Sequence, residues 1–137
     1  MCIILDANLF GKFDDPHNED MQPVHRWLSK QYGKVVYSDT VRLQNEWKKG
    51  GSRLLERLRQ DGSLKLVSRT DVEEMERALA GRIESDDPHI VALALVAAVK
   101  VLVSNDRALH RDFKNIVGGS IYQTKSHSRL LKRDTCP

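Results

Sequence analysis

A short apolar run that ends in a carboxylate, close to the start of the chain, is the feature that most constrains the fold. Residues 3–5 are Ile, Ile and Leu, and Asp6 follows them directly. Such a run is typical of a buried strand. In an open α/β sheet the ligand crevice lies outside the carboxyl ends of the strands. Asp6 is therefore expected at that crevice, and acids at equivalent positions become candidates to join it.

The order of apolar runs and helical periods along the chain predicts the fold class. The predicted strands alternate with helical segments, an arrangement that favours a parallel sheet covered by helices on both faces. We predict an α/β three-layer sandwich with a central parallel sheet of four to five strands flanked by helices. The predicted strands are residues 3–5, 35–37, 64–67, 101–104 and 120–123.

Local signals predict where several helices begin and end. Gly33 is placed to end the second helix as a residue just beyond its last turn. Ser38 or Asp39 is expected to cap the helix that follows the second strand. Thr70 and Glu73 have the spacing of a capping box.

Several acids fall at matching ends of the predicted elements. Asp6 and Asp106 each follow an apolar strand, Asp87 opens the most apolar helix, and Glu46 lies on the helix after the second strand. Carboxylates that converge on one edge of a sheet repel one another unless a cation lies among them. Mg²⁺ or Mn²⁺ takes oxygen ligands and suits phosphate substrates. Such ions generate a hydroxide nucleophile and stabilise charge on phosphoryl oxygens.

Each acid also has a purely structural interpretation. Asp6 and Asp106 are suitable N-caps for the helices that follow them. Asp87 suits the dipole of a helix N-terminus, and a single Glu46 beside two lysines is typical of a solvent-facing surface. The joint arrangement favours the site, because capping does not require apolar strands before the acids or their placement at equivalent ends of one sheet.

The length and charge of the chain limit its domain number and the classes of partner that it fits. The chain has 137 residues and a net charge of +3, which suits one domain and permits an anionic partner without requiring one. We predict a single domain over residues 1–124 and a basic tail over residues 125–137. The longest uncharged apolar run, residues 90–99, is far shorter than the ~20 residues that span a membrane. With no basic leader before the first apolar run, we expect a cytoplasmic protein without a membrane partner.

The successive motifs resemble those of PIN domains, a family of metal-dependent ribonucleases that includes the toxins of many bacterial and archaeal toxin–antitoxin pairs. The motifs are Asp-Ala-Asn at residues 6–8, the helical Glu46, Asp-Pro-His-Ile-Val-Ala-Leu-Ala at residues 87–94, and Val-Ser-Asn-Asp at residues 103–106. The resemblance covers residues 3–123. The helix that starts at an Asp, followed by a strand that ends in Ser-Asn-Asp, is its most specific part.

The resemblance implies an activity and a set of site residues. By position, the acidic quartet of the family falls on Asp6, Glu46, Asp87 and Asp106. These residues would hold one or two Mg²⁺ or Mn²⁺ ions and carry the hydrolysis of RNA phosphodiester bonds to a 3′-hydroxyl and a 5′-phosphate. The family also implies a homodimer and, for the toxin class, an antitoxin protein as partner.

Further residues would support the quartet. By resemblance, Asn8 supports Asp6, whereas Ser104 and Asn105 support Asp106.

Some acids compete with the quartet or add to it. Asp86 competes with Asp87 for the start of the apolar helix, and Asp112 is either an additional acid or surface charge. Glu56 and Glu84 are weaker candidates for the role of the helical glutamate.

Basic side chains near the motifs fit a nucleic-acid substrate, because contacts to phosphates position a strand without reading its sequence. Each of these residues is equally well explained as part of a solvated charged surface. The candidates for the rim of the crevice are Arg42, Lys48, Lys49, Arg107, His110 and Arg111.

Other functions fit the sequence less well. A catalytically silent PIN-like module that binds RNA or protein is the main alternative, and the presence of all four acids argues against it. A phosphatase of the haloacid-dehalogenase type needs an Asp where Asn8 stands. A receiver domain needs an acid at the end of its third strand, where residues 67–69 are Val-Ser-Arg. A toxin and a housekeeping RNA-processing enzyme are not separated by these features.

Overall fold

The protein is an α/β fold built on one parallel sheet. A computed structural model describes residues 1–133. All four strand pairings are parallel, and the strands lie in the order β3-β2-β1-β4-β5. The predicted three-layer α/β architecture is confirmed. The strands are β1 (Cys2–Leu5), β2 (Lys34–Tyr37), β3 (Leu64–Leu66), β4 (Val101–Val103) and β5 (Ser120–Tyr122).

Seven α-helices flank this sheet within the described residues. They are α1 (Phe10–Asp14), α2 (Gln22–Ser29), α3 (Val41–Lys48), α4 (Ser52–Gln60), α5 (Arg69–Ala78), α6 (Pro88–Ala97) and α7 (Arg107–Asp112). Shorter helical turns are 3₁₀ at Ala7–Leu9 and Lys125–Leu130, and π at Phe113–Val117. None of the helices in this part of the chain has the length and apolar character needed to cross a membrane.

The strand order places a topological switch point beside β1. From β1 the chain builds β2 and β3 on one side, and it then crosses back to build β4 and β5 on the other. Leu5 pairs with Val103, and the backbone N–H of Asp6 donates to the carbonyl oxygen of Val103 at 2.9 Å. The ends of β1 and β4 therefore lie side by side, where open α/β sheets place their ligands.

Helix α6 is buried because it is apolar on every side. Its residues 89–94 are all buried, and it packs against α5 and lies against β1 and β2. A helix without a polar face is stable in water only when other elements cover it. This burial brings the residues at its N-terminus close to the end of β1.

The structure corrects two predicted helix boundaries. Helix α2 ends at Ser29, and Gln31 rather than Gly33 has the left-handed backbone, with a φ of 57°. Gly33 is required by a close approach instead, because a Cβ there would lie 2.0 Å from Cζ2 of Trp27. Helix α3 is capped by Thr40, whose Oγ1 accepts from the backbone of Leu43 at 3.3 Å, and not by Ser38 or Asp39.

The predicted capping box at Thr70 and Glu73 is also wrong. Helix α5 begins two residues earlier than that box requires, and Oγ of Ser68 accepts from the backbone N–H of Asp71 at 3.3 Å. Glu73 instead forms an exposed ion pair with Arg69 at 2.7 Å. The sequence contains two overlapping capping patterns, Ser-x-x-Asp from Ser68 and Thr-x-x-Glu from Thr70. The sequence alone does not show which of the two the helix uses.

The segment after β5 folds back onto the domain. Nε1 of Trp27 donates to the carbonyl oxygen of Lys132 at 2.6 Å, and the backbone N–H of Lys125 donates to Oδ1 of Asp20 at 3.1 Å. Leu130 and Leu131 pack against the hydrophobic core. Residues 125–133 are thus in contact with α2 and the loop before it, whereas residues 134–137 of the predicted tail lie outside the described residues.

Candidate metal centre

Asp6 is a buried acid at the switch point. Its side chain is only 4% exposed, and Oδ2 accepts a hydrogen bond from Oγ of Ser104 at 2.7 Å. Burial raises the pKa of Asp6; the hydrogen bond from Ser104 opposes this rise, and the charges of Glu46 and Asp106 add to it. The side chain makes no capping bond to the 3₁₀ turn that follows. The capping interpretation of Asp6 is therefore excluded.

Asp106 does cap the helix that follows it. Oδ1 of Asp106 accepts from the backbone N–H of Leu109 at 3.2 Å, and its own N–H donates to Oγ of Ser104 at 3.1 Å. The Ser104 hydroxyl therefore links the ends of β1 and β4, donating to one acid and accepting from the backbone of the other. Capping and a role in the site coexist at Asp106, since its charge also acts on Asp6.

Asp87 reaches the same place from the start of α6. Burial, then the charges of Asp6 and Glu46, raise the pKa of Asp87 to about 6, and a side-chain hydrogen bond with Asp106 adds to the rise. Its side chain makes no capping bond. The neighbouring Asp86 is exposed, and its carbonyl oxygen accepts from Arg42. Asp87 is thus the acid of this pair that faces the others.

Glu46 approaches from α3 and meets a histidine that sequence reasoning missed. Its Oε1 contacts Nε2 of His89, which is completely buried, and lies 4.0 Å from Nε of Arg42. One ligand atom each from Glu46, Asp87 and His89 lies within 4.8 Å of the others. The position of His89, in the first turn of an otherwise apolar helix and two residues after Asp87, was the signal available in the sequence.

The four acids of the quartet act on one another electrostatically. Two of these acids, Asp6 and Asp87, have their pKa values raised by burial and by other members of the group. Such an arrangement is unfavourable for the ionised side chains unless positive charge is supplied. Within residues 1–133, Oε1 of Glu46 and both ring nitrogens of His89 have no aligned hydrogen-bond partner. Carboxylate oxygens and an imidazole with free bonding capacity fit a divalent cation.

The supporting residues differ in their placement. Ser104 is completely buried and contacts both strand-end acids. Asn8 and Asn105 are exposed, and no hydrogen bond in the described chain joins either of them to a carboxylate. The structure therefore does not give these two asparagines the supporting contacts that the resemblance implied.

Asp112 is neither a site acid nor surface charge. It is 3% exposed, and its two carboxylate oxygens accept from the backbone N–H groups of Glu84 at 3.0 Å and Ser85 at 2.8 Å. Burial acts to raise the pKa of Asp112, but these hydrogen bonds outweigh it and the pKa is lowered. Asp112 holds the loop that leads to Asp87.

The two weaker glutamate candidates lie in exposed ion pairs. Glu84 pairs with Arg111 at 3.1 Å and Glu56 with Arg59 at 3.7 Å. Neither glutamate belongs to the cluster of ligand atoms around His89.

An open cleft of about 670 Å³ leads to the acids between α3 and α5. Arg42 and Lys49 line one wall, Glu73 and Glu76 line the other, and Asp87 is also part of the lining. Of the predicted basic rim, only Arg42 and Lys49 therefore border this cleft.

The other basic candidates lie elsewhere. Lys48 lines a separate cavity beside Trp47. His110 donates from Nε2 to the carbonyl oxygen of Ser104 at 2.7 Å, which ties α7 to the end of β4. Arg107 is exposed, and Arg111 is paired with Glu84. These four residues are not part of the cleft wall.

Comparisons with known proteins add no family to this description. No family model matches the chain, no curated protein matches it, and no solved structure matches its fold. The relation to PIN domains therefore stays a prediction from the sequence motifs.

Proposed function

We propose that this protein is a metal-dependent nuclease that hydrolyses phosphodiester bonds in RNA. One observation carries the proposal: Asp6, Glu46, Asp87 and Asp106 converge on the switch point of a parallel sheet, where burial and then the charges of other members of the group raise the pKa values of Asp6 and Asp87. A cluster of acids in a crevice, some of which have raised pKa values, is a candidate functional site. Divalent cations satisfy such a group and are suited to phosphate chemistry.

The residues of the site would have separate roles in the reaction. Asp6, Asp87, Asp106 and Glu46 would hold the cation, which supplies a hydroxide nucleophile and stabilises charge on the phosphate. Ser104 keeps Asp6 and the backbone of Asp106 in register through its two hydrogen bonds. Burial of Asp6 limits water around the site and strengthens electrostatic interactions within it.

The cleft supports a polyanionic substrate on one wall. Arg42 and Lys49 lie on α3 and just after it, next to Glu46, where a phosphate backbone would be attracted. Glu73 and Glu76 on the opposite wall would repel phosphates. We therefore place the backbone of the strand along the α3 side of the cleft. A toxin role with an antitoxin partner, and a homodimer, are further proposals that rest on the resemblance alone. A cytoplasmic location is a proposal from the residue pattern.

The test is cleavage of labelled single-stranded and structured RNA by the wild type and Asp6→Asn, with Mn²⁺, Mg²⁺ or EDTA. We expect cleavage by the wild type only with metal. Changes to outer-shell residues of metal sites cost about 10–100-fold, so loss of a direct ligand is expected to cost more than about 100-fold. Asp61→Asn, a neutralised exposed acid beyond α4, is the matched control and is expected to cleave normally.

Stability measurements separate a lost ligand from a damaged fold. In EDTA, Asp6→Asn is expected to melt at the same temperature as the wild type or slightly above it, because burial and neighbouring charges disfavour the ionised Asp6. A large drop in melting temperature would instead show that Asp6 is structural. RNA binding without cleavage or metal binding would favour the silent binding module.

A further inference from the structure

His89 has an unusual hydrogen-bonding state for a buried histidine. It is completely buried, yet within the described chain neither ring nitrogen has an aligned hydrogen-bond partner. Buried polar groups in proteins are almost always hydrogen-bonded, and each exception needs an explanation. A histidine that merely fills the core would be expected to bond to a backbone group, as His25 does to the carbonyl oxygen of Phe13 at 2.6 Å.

The groups around Nε2 indicate why the buried ring of His89 has no aligned hydrogen-bond partner. Nε2 of His89 contacts Oε1 of Glu46, and a carboxylate oxygen of Asp87 lies within 4.8 Å of the ligand atoms of both. When the proton of a neutral imidazole is on Nδ1, Nε2 and the carboxylate oxygen are both acceptors and repel each other at contact. A proton between them would satisfy one contact, whereas a cation would satisfy the imidazole and both carboxylates together.

We infer that Nε2 of His89 is a metal ligand, together with carboxylate oxygens of Glu46 and Asp87. This inference rests on the proposed function, because it concerns the cation of the same site. It differs from the sequence prediction of an all-oxygen acidic quartet, since one ligand is nitrogen. Imidazole suits Zn²⁺, Fe²⁺ and Ni²⁺, whereas Mg²⁺ and Mn²⁺ are bound mainly through oxygen, and Mg²⁺ retains water. The site therefore selects imidazole-binding ions such as Zn²⁺ over Mg²⁺.

The decisive measurement uses the wild-type chain labelled with ¹⁵N at its five histidines. Zn²⁺ is diamagnetic and is added to one equivalent, and Mg²⁺ is added to a parallel sample. We expect the ring-nitrogen signals of one imidazole to shift with Zn²⁺ and none to shift with Mg²⁺. Loss of that signal set in His89→Gln would assign it, while His25→Gln would retain it.

Binding constants provide the second readout, measured by titration calorimetry without RNA. In His89→Gln we expect Zn²⁺ to bind at least about 10-fold more weakly and Mg²⁺ and Mn²⁺ to change far less, because only the nitrogen ligand is lost. His25→Gln is the matched control, a histidine away from the acids, and is expected to bind all three ions as the wild type does. If His89→Gln does not fold, single His→Gln variants of the other four histidines decide: retention of the shifted signals in all four assigns them to His89, and their loss in any one overturns the inference.

The outcomes separate this inference from the proposed function. Tight Zn²⁺ binding with no shifted imidazole, or equal weakening of Mg²⁺ and Zn²⁺ in His89→Gln, would overturn the nitrogen ligand and leave the nuclease proposal intact. If none of the three ions binds, both the nitrogen ligand and the nuclease proposal are overturned. A single shifted imidazole in an inactive protein would support the metal site and reject the nuclease.

Discussion

At the residue scale, two of the acids have pKa values that are shifted in opposite directions. Asp87 faces other carboxylates, and its pKa is raised to about 6, chiefly by burial and then by the charges of Asp6 and Glu46. Asp112 is also buried, but two backbone N–H groups satisfy it and its pKa is lowered. The number of hydrogen-bond donors around each carboxylate explains the difference, because donors stabilise the ionised form. The sequence shows the acids but not their donors.

Asp112 is predicted to stabilise the protein in a pH-dependent manner. Asp112→Asn should lower the free energy of unfolding at pH 7 by about 1–3 kcal/mol, since an amide cannot accept from both N–H groups. The folded pKa is depressed, so this contribution is fully present above the unfolded pKa of about 3.8 and declines as the pH falls below it. Urea unfolding of both proteins at pH 7, 5 and 3.5 measures it.

The expected pattern for Asp112→Asn is an equal difference at pH 7 and 5 and a smaller one at pH 3.5. Asp39→Asn, which changes an exposed acid, is the control and is expected to have little effect. A difference that grows as the pH falls would contradict the role assigned to Asp112.

At the element scale, the two helices that directly follow site acids begin differently. Helix α7 is capped by the side chain of Asp106, whereas α6 begins at Pro88 and receives no side-chain cap from Asp87. Capping residues favour non-helical backbone just before a helix, so a strand-end Asp readily serves as both cap and site acid. The carboxylate of Asp87 is available to the cluster of site acids because it makes no capping hydrogen bond to α6.

Substitutions of Asp106 should separate capping from metal binding. Asn caps as well as Asp does, whereas Ala costs about 1 kcal/mol of stability. In EDTA, Asp106→Asn is thus expected to melt near the wild type and Asp106→Ala below it. Mn²⁺ is expected to raise the melting temperature of the wild type, by binding the native state only, and of neither variant.

A cap distant from the acids provides the control for Asp106. Ser68→Ala removes the cap of α5 and should lose stability while it retains the Mn²⁺ shift. An undiminished Mn²⁺ shift in Asp106→Asn would place the metal elsewhere.

At the scale of the whole molecule, the sheet order and the return of the C-terminal segment fix the framework. The crossing from β3 back to β4 brings two strand ends together at the switch point. The segment after β5 then covers α2, where Trp27 donates to the carbonyl oxygen of Lys132 and Leu130 and Leu131 pack on the core. Residues 125–133 are part of the folded domain in this structure.

The packing of this segment predicts a cost for truncating its leucines. Leu130→Ala combined with Leu131→Ala should lower the free energy of unfolding by roughly 2 kcal/mol, less than two fully buried leucines would. Urea unfolding measures the loss, and the exposed Arg129→Ala is the control, expected near the wild type. Unchanged stability in the double variant would mean that the segment is a dispensable tail.

The sequence by itself determined the approximate strands, the parallel α/β class and the two acids at strand ends, Asp6 and Asp106. These follow from local apolar runs and from the rule that strand ends share one edge of a sheet. Only the tertiary structure decided that Asp87 rather than Asp86 faces the cluster, that Asp112 binds a loop, and that His89 meets Glu46. Those contacts join elements distant in sequence, and their geometry depends on how α3 and α6 pack against β1 and β2. Local pattern contains no information about that packing.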